Sequence, residues 1–207
     1  MSKLRVLVLD IETAPNEVAV YSLKQKYINP QYIMSAGYVL CFSAQWLGEE
    51  EMHFARSPDG HLEMLQKVHA LLSNADAVVH YYGKKFDIPT LNAEFLLHRM
   101  PPLPPIVQID LYHLCRRTFN FPSYKLDYVC SRLGIGRKAR HAGWEMWKAC
   151  IDNLHEKHAT AWVVMERYNK RDIKMTAALY RRLRPWFAQT YEFKRIHEWL
   201  EGHRTKP

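Results

Sequence analysis

The apolar positions of this chain fall in short runs between turn residues, and the spacing within the runs switches between strand and helix. Leu4–Leu9 (LRVLVL) is apolar and β-branched over too few residues for a helix, which predicts a buried strand. Residues 14–34 carry Pro15, Asn16, Asn29 and Pro30 and read as an irregular excursion. Tyr38–Trp46 and Glu51–Ala55 flank a turn at Gly48, the pattern of a hairpin. Ser57-Pro58-Asp59 opens a helix whose Leu62, Leu65, Val68, Leu71 and Leu72 recur at helical spacing. Ala75–His80 predicts another buried strand. Asp87–Arg99 follows as a helix that tolerates Pro89 in its first turn and stops at Pro101, Pro102, Pro104 and Pro105. Ile106–Leu111 is a further short strand or a strand-to-helix junction. Beyond it the pattern is helical, over about 111–118, 125–133, 144–150 and 158–187.

The order strand, hairpin, helix, strand, helix, strand, helices predicts an α/β domain built on a mixed sheet. The expected domain spans residues 1–188, with 189–207 as a polar, partly basic C-terminal helix or tail. Composition supports a folded chain: 48% of the 207 residues are hydrophobic and 24% charged. No apolar run approaches the roughly 20 residues of a membrane span, and Met1–Asp10 lacks the pattern of a signal peptide, so no membrane partner and a cytoplasmic location are expected. The formal net charge of +8 leans toward a polyanionic partner. Cys41, Cys115, Cys130 and Cys150 form no C-x-x-C pair and are expected as buried free thiols.

Three carboxylate patterns bear on chemistry. Asp10-Ile11-Glu12 closes the first strand, and side chains two apart share a strand face, so both acids converge on one point. Asp87 follows Phe86 after a strand and opens a helix, a position that caps and dipole also favour for an acid. Tyr168 and Asp172 are i and i+4 in the long C-terminal helix and project together. Each alone has an ordinary explanation: an acidic strand end, a helix-start acid, a polar helix face.

Taken in order, the three patterns resemble the DEDD superfamily of 3′–5′ exonucleases in its tyrosine-bearing (DEDDy) subgroup, including stand-alone exonucleases of bacterial viruses and polymerase proofreading domains. The resemblance runs from Leu4 to about Trp186, and Ser123–Asp127 through Leu133–Ile135 is similar to the helix between the family's second and third motifs. It implies a ribonuclease H-like mixed sheet: the N-terminal strand, the hairpin and two further parallel strands, flanked by helices. It implies four metal-binding catalytic acids, Asp10, Glu12, Asp87 and Asp172, and a water-orienting catalytic tyrosine, Tyr168.

The cofactors implied are two Mg²⁺ or Mn²⁺ ions, hard cations suited to carboxylate oxygens. Asp10 would be shared by both ions, Glu12 and Asp172 would complete one, and Asp87 would help hold the other. The implied reaction is hydrolysis of single-stranded or frayed DNA from its 3′ end to nucleoside 5′-monophosphates. Alternatives are an RNA-directed 3′–5′ exonuclease and a non-catalytic nucleic-acid-binding module on the same fold. A separate polymerase or other replication or repair protein is a further expected partner. Expected substrate contacts are Thr13, Tyr82, Lys84, Lys85 and Lys125. Lys84 and Lys85 adjoin Asp87 and suit phosphates, and Tyr82 stands where related exonucleases often carry Asn, offering a ring to stack on a base. Arg137, Lys138, Arg140 and His141 form a basic loop beside Trp144. Phe86, Trp144 and Trp147 are expected in the core.

Overall fold

The computed structural model describes residues 4–140, 142–152 and 157–187. The strands are β1 (Val6–Thr13), β2 (Glu17–Val18), β3 (Ile33–Ser35), β4 (Val39–Trp46), β5 (Met52–Arg56), β6 (Ala77–His80) and β7 (Val107–Asp110). The α-helices are α1 (His61–Ser73), α2 (Asp87–Leu97), α3 (Leu111–Thr118), α4 (Leu126–Arg132), α5 (Trp144–Ile151) and α6 (His158–Phe187). The five-stranded sheet has the order β5-β4-β1-β6-β7. β4 is antiparallel to β1 and to β5, whereas β6 is parallel to β1 and β7 to β6. This is the expected mixed sheet with helices on both faces.

Alternation along β1 assigns its two faces. Leu7, Leu9 and Ile11 pack with Met64, Leu65 and Val68 of α1 and Leu91 and Phe95 of α2. Val8 points the other way, into a cluster with Ile109, Val129 and the α6 residues Ile173, Leu179 and Leu183. A third cluster joins Leu40 and Cys41 of β4 to Met146 of α5 and Trp162, Met165 and Tyr168 of α6. α6 thus lies across one face of the sheet, and the period of two puts Asp10 and Glu12 on that face after Val8. Leu9 and Leu40 are essentially inaccessible. Truncating either to alanine costs about 2–5 kcal/mol.

The structure modifies several sequence expectations. β1 runs on to Thr13, so Asp10 and Glu12 sit inside the strand, paired opposite Ser43 and Cys41 of β4. The register shifts between Glu12 and Thr13, a bulge at the strand's carboxyl end. The excursion at 14–34 contains a 3₁₀ turn at Pro30–Tyr32 and contributes to the two-stranded ribbon β2–β3, and it leaves Tyr21, Leu23, Tyr27 and Met34 exposed. Phe86 and Trp144 are exposed rather than buried, at 44% and 57%. Phe86 directly precedes α2 and Trp144 is the first residue of α5, positions ahead of the buried helical stripe. Trp147 is half-buried against the core. All four cysteines are free and buried. The segment 189–207 and His141 lie outside the described residues. Among the described residues, no helix is long and apolar enough to cross a membrane.

Candidate active site

Two elements supply the acids. β1 carries Asp10 and Glu12 on the face that α6 covers, and α6 returns Tyr168, Asn169 and Asp172 from its buried side. The helical stripe Met165, Tyr168, Asn169, Asp172, Thr176 is buried throughout, so its polar members face the sheet and not solvent. One carboxylate oxygen each of Asp10, Glu12 and Asp172 lies within 4.8 Å of the other two. Asn169 Nδ2 donates to Asp10 Oδ2 at 2.6 Å and fixes that carboxylate against the helix.

Asp87 reaches the same end of the sheet from the first residue of α2 and is 4% exposed. The Ile11 N–H donates to its Oδ1 at 3.1 Å, so Asp87 is tied to the backbone between the two β1 acids. Gly83 makes room for it: a Cβ there would stand 2.9 Å from Asp87 Oδ2 and 2.5 Å from the His80 ring.

Crowding of like charges in a buried place favours the protonated forms. Burial, with Glu12, Asp87 and Asp172 adding to it, raises the Asp10 pKa well above the usual carboxylate range. Burial and then Asp172 push Glu12 up to about 8, against the opposing pull of Lys138. Burial raises Asp87 to about 7, although the hydrogen bonds from backbone N–H groups hold it down. Tyr168 is pushed up to about 12 by burial and by Asp172, which leaves it a neutral hydroxyl at physiological pH.

Lys138 answers part of this charge. It comes from the basic loop after α4, and its ammonium donates to Tyr168 Oη at 3.0 Å and to Asp172 Oδ2. The loop is anchored by the Lys138 N–H, which donates to Asp127 Oδ1 at 2.7 Å. Burial disfavours the Lys138 charge, but Asp172 and Tyr168 together outweigh it and its pKa is raised. The Trp147 ring meets the Tyr168 ring edge-on with centroids 5.9 Å apart and holds it from the other side. Asp10, Asp172, Asp127, Lys138 and Lys125 line a cleft of about 380 Å³ together with Tyr81 and Leu126.

Asp110 organises the neighbouring turn. Its Oδ1 accepts the N–H groups of Tyr82 and Tyr112 at 3.0 Å each, and its Oδ2 accepts that of Lys84 at 3.1 Å. Tyr82 is held at φ 69°, the left-handed region that side chains rarely adopt, at a cost of about 1–2 kcal/mol. Its ring is 43% exposed and packs edge-on to Tyr112 at 4.8 Å. Lys84 and Lys85 are exposed on the same turn. Of the expected substrate contacts, only Lys125 lines the cleft; Thr13 ends β1 beyond the bulge, and Tyr82, Lys84 and Lys85 stand on the turn before α2.

The family model of the RNase_H superfamily matches residues 33–184, most of the chain. The chain belongs to the RNase H superfamily. Within this RNase H superfamily chain the matched region holds Asp87, Tyr168 and Asp172, while Asp10 and Glu12 precede it. Among solved structures, the family B DNA polymerase from the hyperthermophilic archaeon Pyrobaculum calidifontis is similar in fold, with a TM-score of 0.62 at 17% identity over 91% of this chain. The chain spans 25% of that polymerase's length. No curated protein matches.

The donors of this RNase H superfamily site fit a hard divalent cation. They are carboxylate oxygens gathered within reach of one another, their mutual repulsion calls for positive charge, and a protein ammonium already lies against Asp172. The sequence marks Lys138 only as part of a basic loop and not as a partner of Tyr168 and Asp172, and it does not mark Asn169 and Asp110 as site residues. Asn169 had a signal, since it stands at i−3 from Asp172 and next to Tyr168 on the same helical face.

Proposed function

We propose that this RNase H superfamily chain is a metal-dependent 3′–5′ exonuclease of the tyrosine-bearing DEDD type, acting on single-stranded or frayed DNA and releasing nucleoside 5′-monophosphates. The observation that carries the reading is the convergence of Asp10, Glu12 and Asp172 with Tyr168 at one end of the sheet, with Asp87 tied in through Ile11. Superfamily membership supports hydrolysis of nucleic acids, and the fold likeness to a DNA polymerase is in keeping with DNA as substrate.

Asp10, Glu12, Asp87 and Asp172 would hold Mg²⁺ or Mn²⁺. When bound, such ions lower the pKa of water and neutralise charge on the phosphate and the departing 3′ oxygen. The chain's own residues do the positioning. Asn169 clamps Asp10 in one orientation, and the Ile11 N–H does the same for Asp87. Lys138 donates to the Tyr168 oxygen and so orients its hydroxyl, which would position the attacking water or the scissile phosphate. A neutral tyrosine orients and does not deprotonate, because its pKa lies far above working pH. Lys125 at the cleft and the exposed Lys84 and Lys85 suit the phosphates of the strand, and the Tyr82 ring suits a base. The exposed Tyr21 and Tyr27, interleaved with Lys24 and Lys26 on the segment between β2 and β3, are of the same kind.

The test is a time course on end-labelled single-stranded DNA and RNA of matched sequence with Mn²⁺, comparing wild type with Asp10→Ala. The expected outcome is a ladder shortening from the 3′ end of DNA, dependent on Mn²⁺ and absent in the variant. Shortening of RNA alone would move the substrate class to RNA. Binding without cleavage would make the chain a nucleic-acid-binding module, and cleavage of a circular strand would make it an endonuclease.

A further inference from the structure

Away from the carboxylate end, α1 and α2 bring together a second group of donor atoms of different chemistry. Glu94 lies on the buried face of α2, and His98 caps the same helix one turn later. The i, i+4 spacing stacks the two side chains on one side of the helix. His61 is the first residue of α1. Glu94 Oε2 is 3.2 Å from His61 Nε2 and 3.7 Å from His98 Nε2. One donor atom of each of the three falls within 4.8 Å of the others.

Two of the donors are held from behind. Glu94 Oε1 accepts the Val39 N–H at 2.8 Å, which leaves Oε2 facing the two rings. His61 Nδ1 is hydrogen-bonded to Ser57 Oγ at 3.0 Å, which leaves Nε2 facing the carboxylate. An imidazole whose far nitrogen is already engaged is the usual arrangement of a metal-ligating histidine. The Tyr38 ring packs edge-on against His61 with centroids 5.7 Å apart and fixes its plane.

The charge balance points the same way. Glu94 is 6% exposed, and among the described residues no lysine or arginine pairs with it. A buried carboxylate needs a compensating positive charge. The His98 side chain is 37% exposed, so the group is open to solvent on one side. Two imidazole nitrogens and one carboxylate oxygen, with a side left for water, form a donor set for a borderline cation and not for the hard ions that carboxylates alone select.

We propose that His61, Glu94 and His98 form a second metal site, which takes a divalent transition ion of the zinc class and clamps the start of α1 to the end of α2. Through Val39 the clamp reaches β4, so the site fastens both helices to the sheet at a place separate from the catalytic acids. It does not depend on the nuclease reading.

Cobalt(II) is the probe, because its four- and five-coordinate complexes with imidazole absorb visible light strongly and its six-oxygen complexes scarcely absorb. The expected result is one strongly absorbing equivalent of Co²⁺ in the full chain, displaced by Zn²⁺ and retained in Asp10→Asn. His61→Ala and His98→Ala each lose the band and weaken binding by at least about tenfold. Stoichiometric Zn²⁺ raises the melting temperature of the wild type and of Asp10→Asn, but not of His98→Ala. Should His61→Ala fail to fold, the surface variant His98→Ala decides alone, with its metal-free melting curve as the check on folding. Absence of the band at stoichiometric cobalt, or a band that survives His98→Ala, overturns the site. In that event the cluster is a hydrogen-bonded histidine pair around a buried glutamate.

Discussion

The molecule answers the problem of buried carboxylates in two ways. At the end of β1, three acids share one small volume and a fourth adjoins them, and Asp10, Glu12 and Asp87 are pushed toward their protonated forms. Between α1 and α2 a single acid, Glu94, sits between two histidines and is satisfied from behind by a backbone N–H. The first arrangement is frustrated as a protein and becomes stable only with added positive charge, supplied in part by Lys138. The second gathers no like charges, and its lone carboxylate faces two imidazoles. The difference teaches where binding energy is stored: stacked like charges hold a deficit that a hard cation fills, whereas a mixed nitrogen and oxygen set offers selectivity for a softer one.

Removing a carboxylate from the crowded end tests the comparison most severely. Asp172→Ala takes away both an acid of the cluster and the partner of Lys138, and is expected to lower Mn²⁺-dependent cleavage on the order of 10³-fold in single-turnover assays. A smaller loss, roughly 10- to 100-fold in kcat with little change in KM, is expected for Tyr168→Phe and for Lys138→Met, with the circular dichroism spectrum unchanged.

The frustration itself is measurable without substrate. Asp10, Glu12 and Asp87 all have folded-state pKa values above their unfolded ones, so the folded chain keeps protons that the unfolded chain has released. Their contribution is fully favourable below about pH 4; that of Asp87 and Glu12 is lost as pH rises through about 7 and about 8, and that of Asp10 is lost on the same alkaline side. With a chelator present, thermal unfolding is expected to occur at a temperature lower by roughly 3–8 °C at pH 8 than at pH 6, and Asp10→Asn is expected to flatten the slope. Saturating Mn²⁺ is expected to restore the loss at pH 8. The smallest effect belongs to the other region: His98→Ala is expected to leave the Mn²⁺-dependent cleavage rate within about twofold of wild type, because among the described residues its ion-pair partner Glu94 lies outside the cleft of Asp10 and Asp172.

Much of the acid cluster was legible in the chain alone. Asp10 and Glu12 are separated by the strand period and Tyr168 and Asp172 by the helix period, so local geometry alone put each pair on one face. Lys138 was visible only as one member of a basic loop, because its partners Tyr168 and Asp172 are distant in sequence and its reach depends on the anchor at Asp127. Asp110 falls in the expected strand-to-helix junction and caps α3; its second duty, holding Tyr82 and Lys84 in the turn before α2, needs β7 placed beside β6. Phe86 and Trp144 were misjudged because hydrophobicity says nothing about whether a residue precedes or joins a helix's buried stripe. The histidine–glutamate cluster had one local sign, Glu94 and His98 at i, i+4, but its third member is contributed by another helix.

The periodicities, the prolines and the ordered acids therefore determined the element order, the mixed α/β class and the faces on which the acids stand, since these follow from repeats of two and 3.6 residues along one element. The tertiary structure alone decided which cation of the protein meets the acids, which carboxylate is clamped by Asn169, and that His61 closes on Glu94 and His98. Those contacts join elements far apart in sequence, and what brings them together is the packing of α1, α2 and α6 on the two faces of one sheet, not a local rule of the chain.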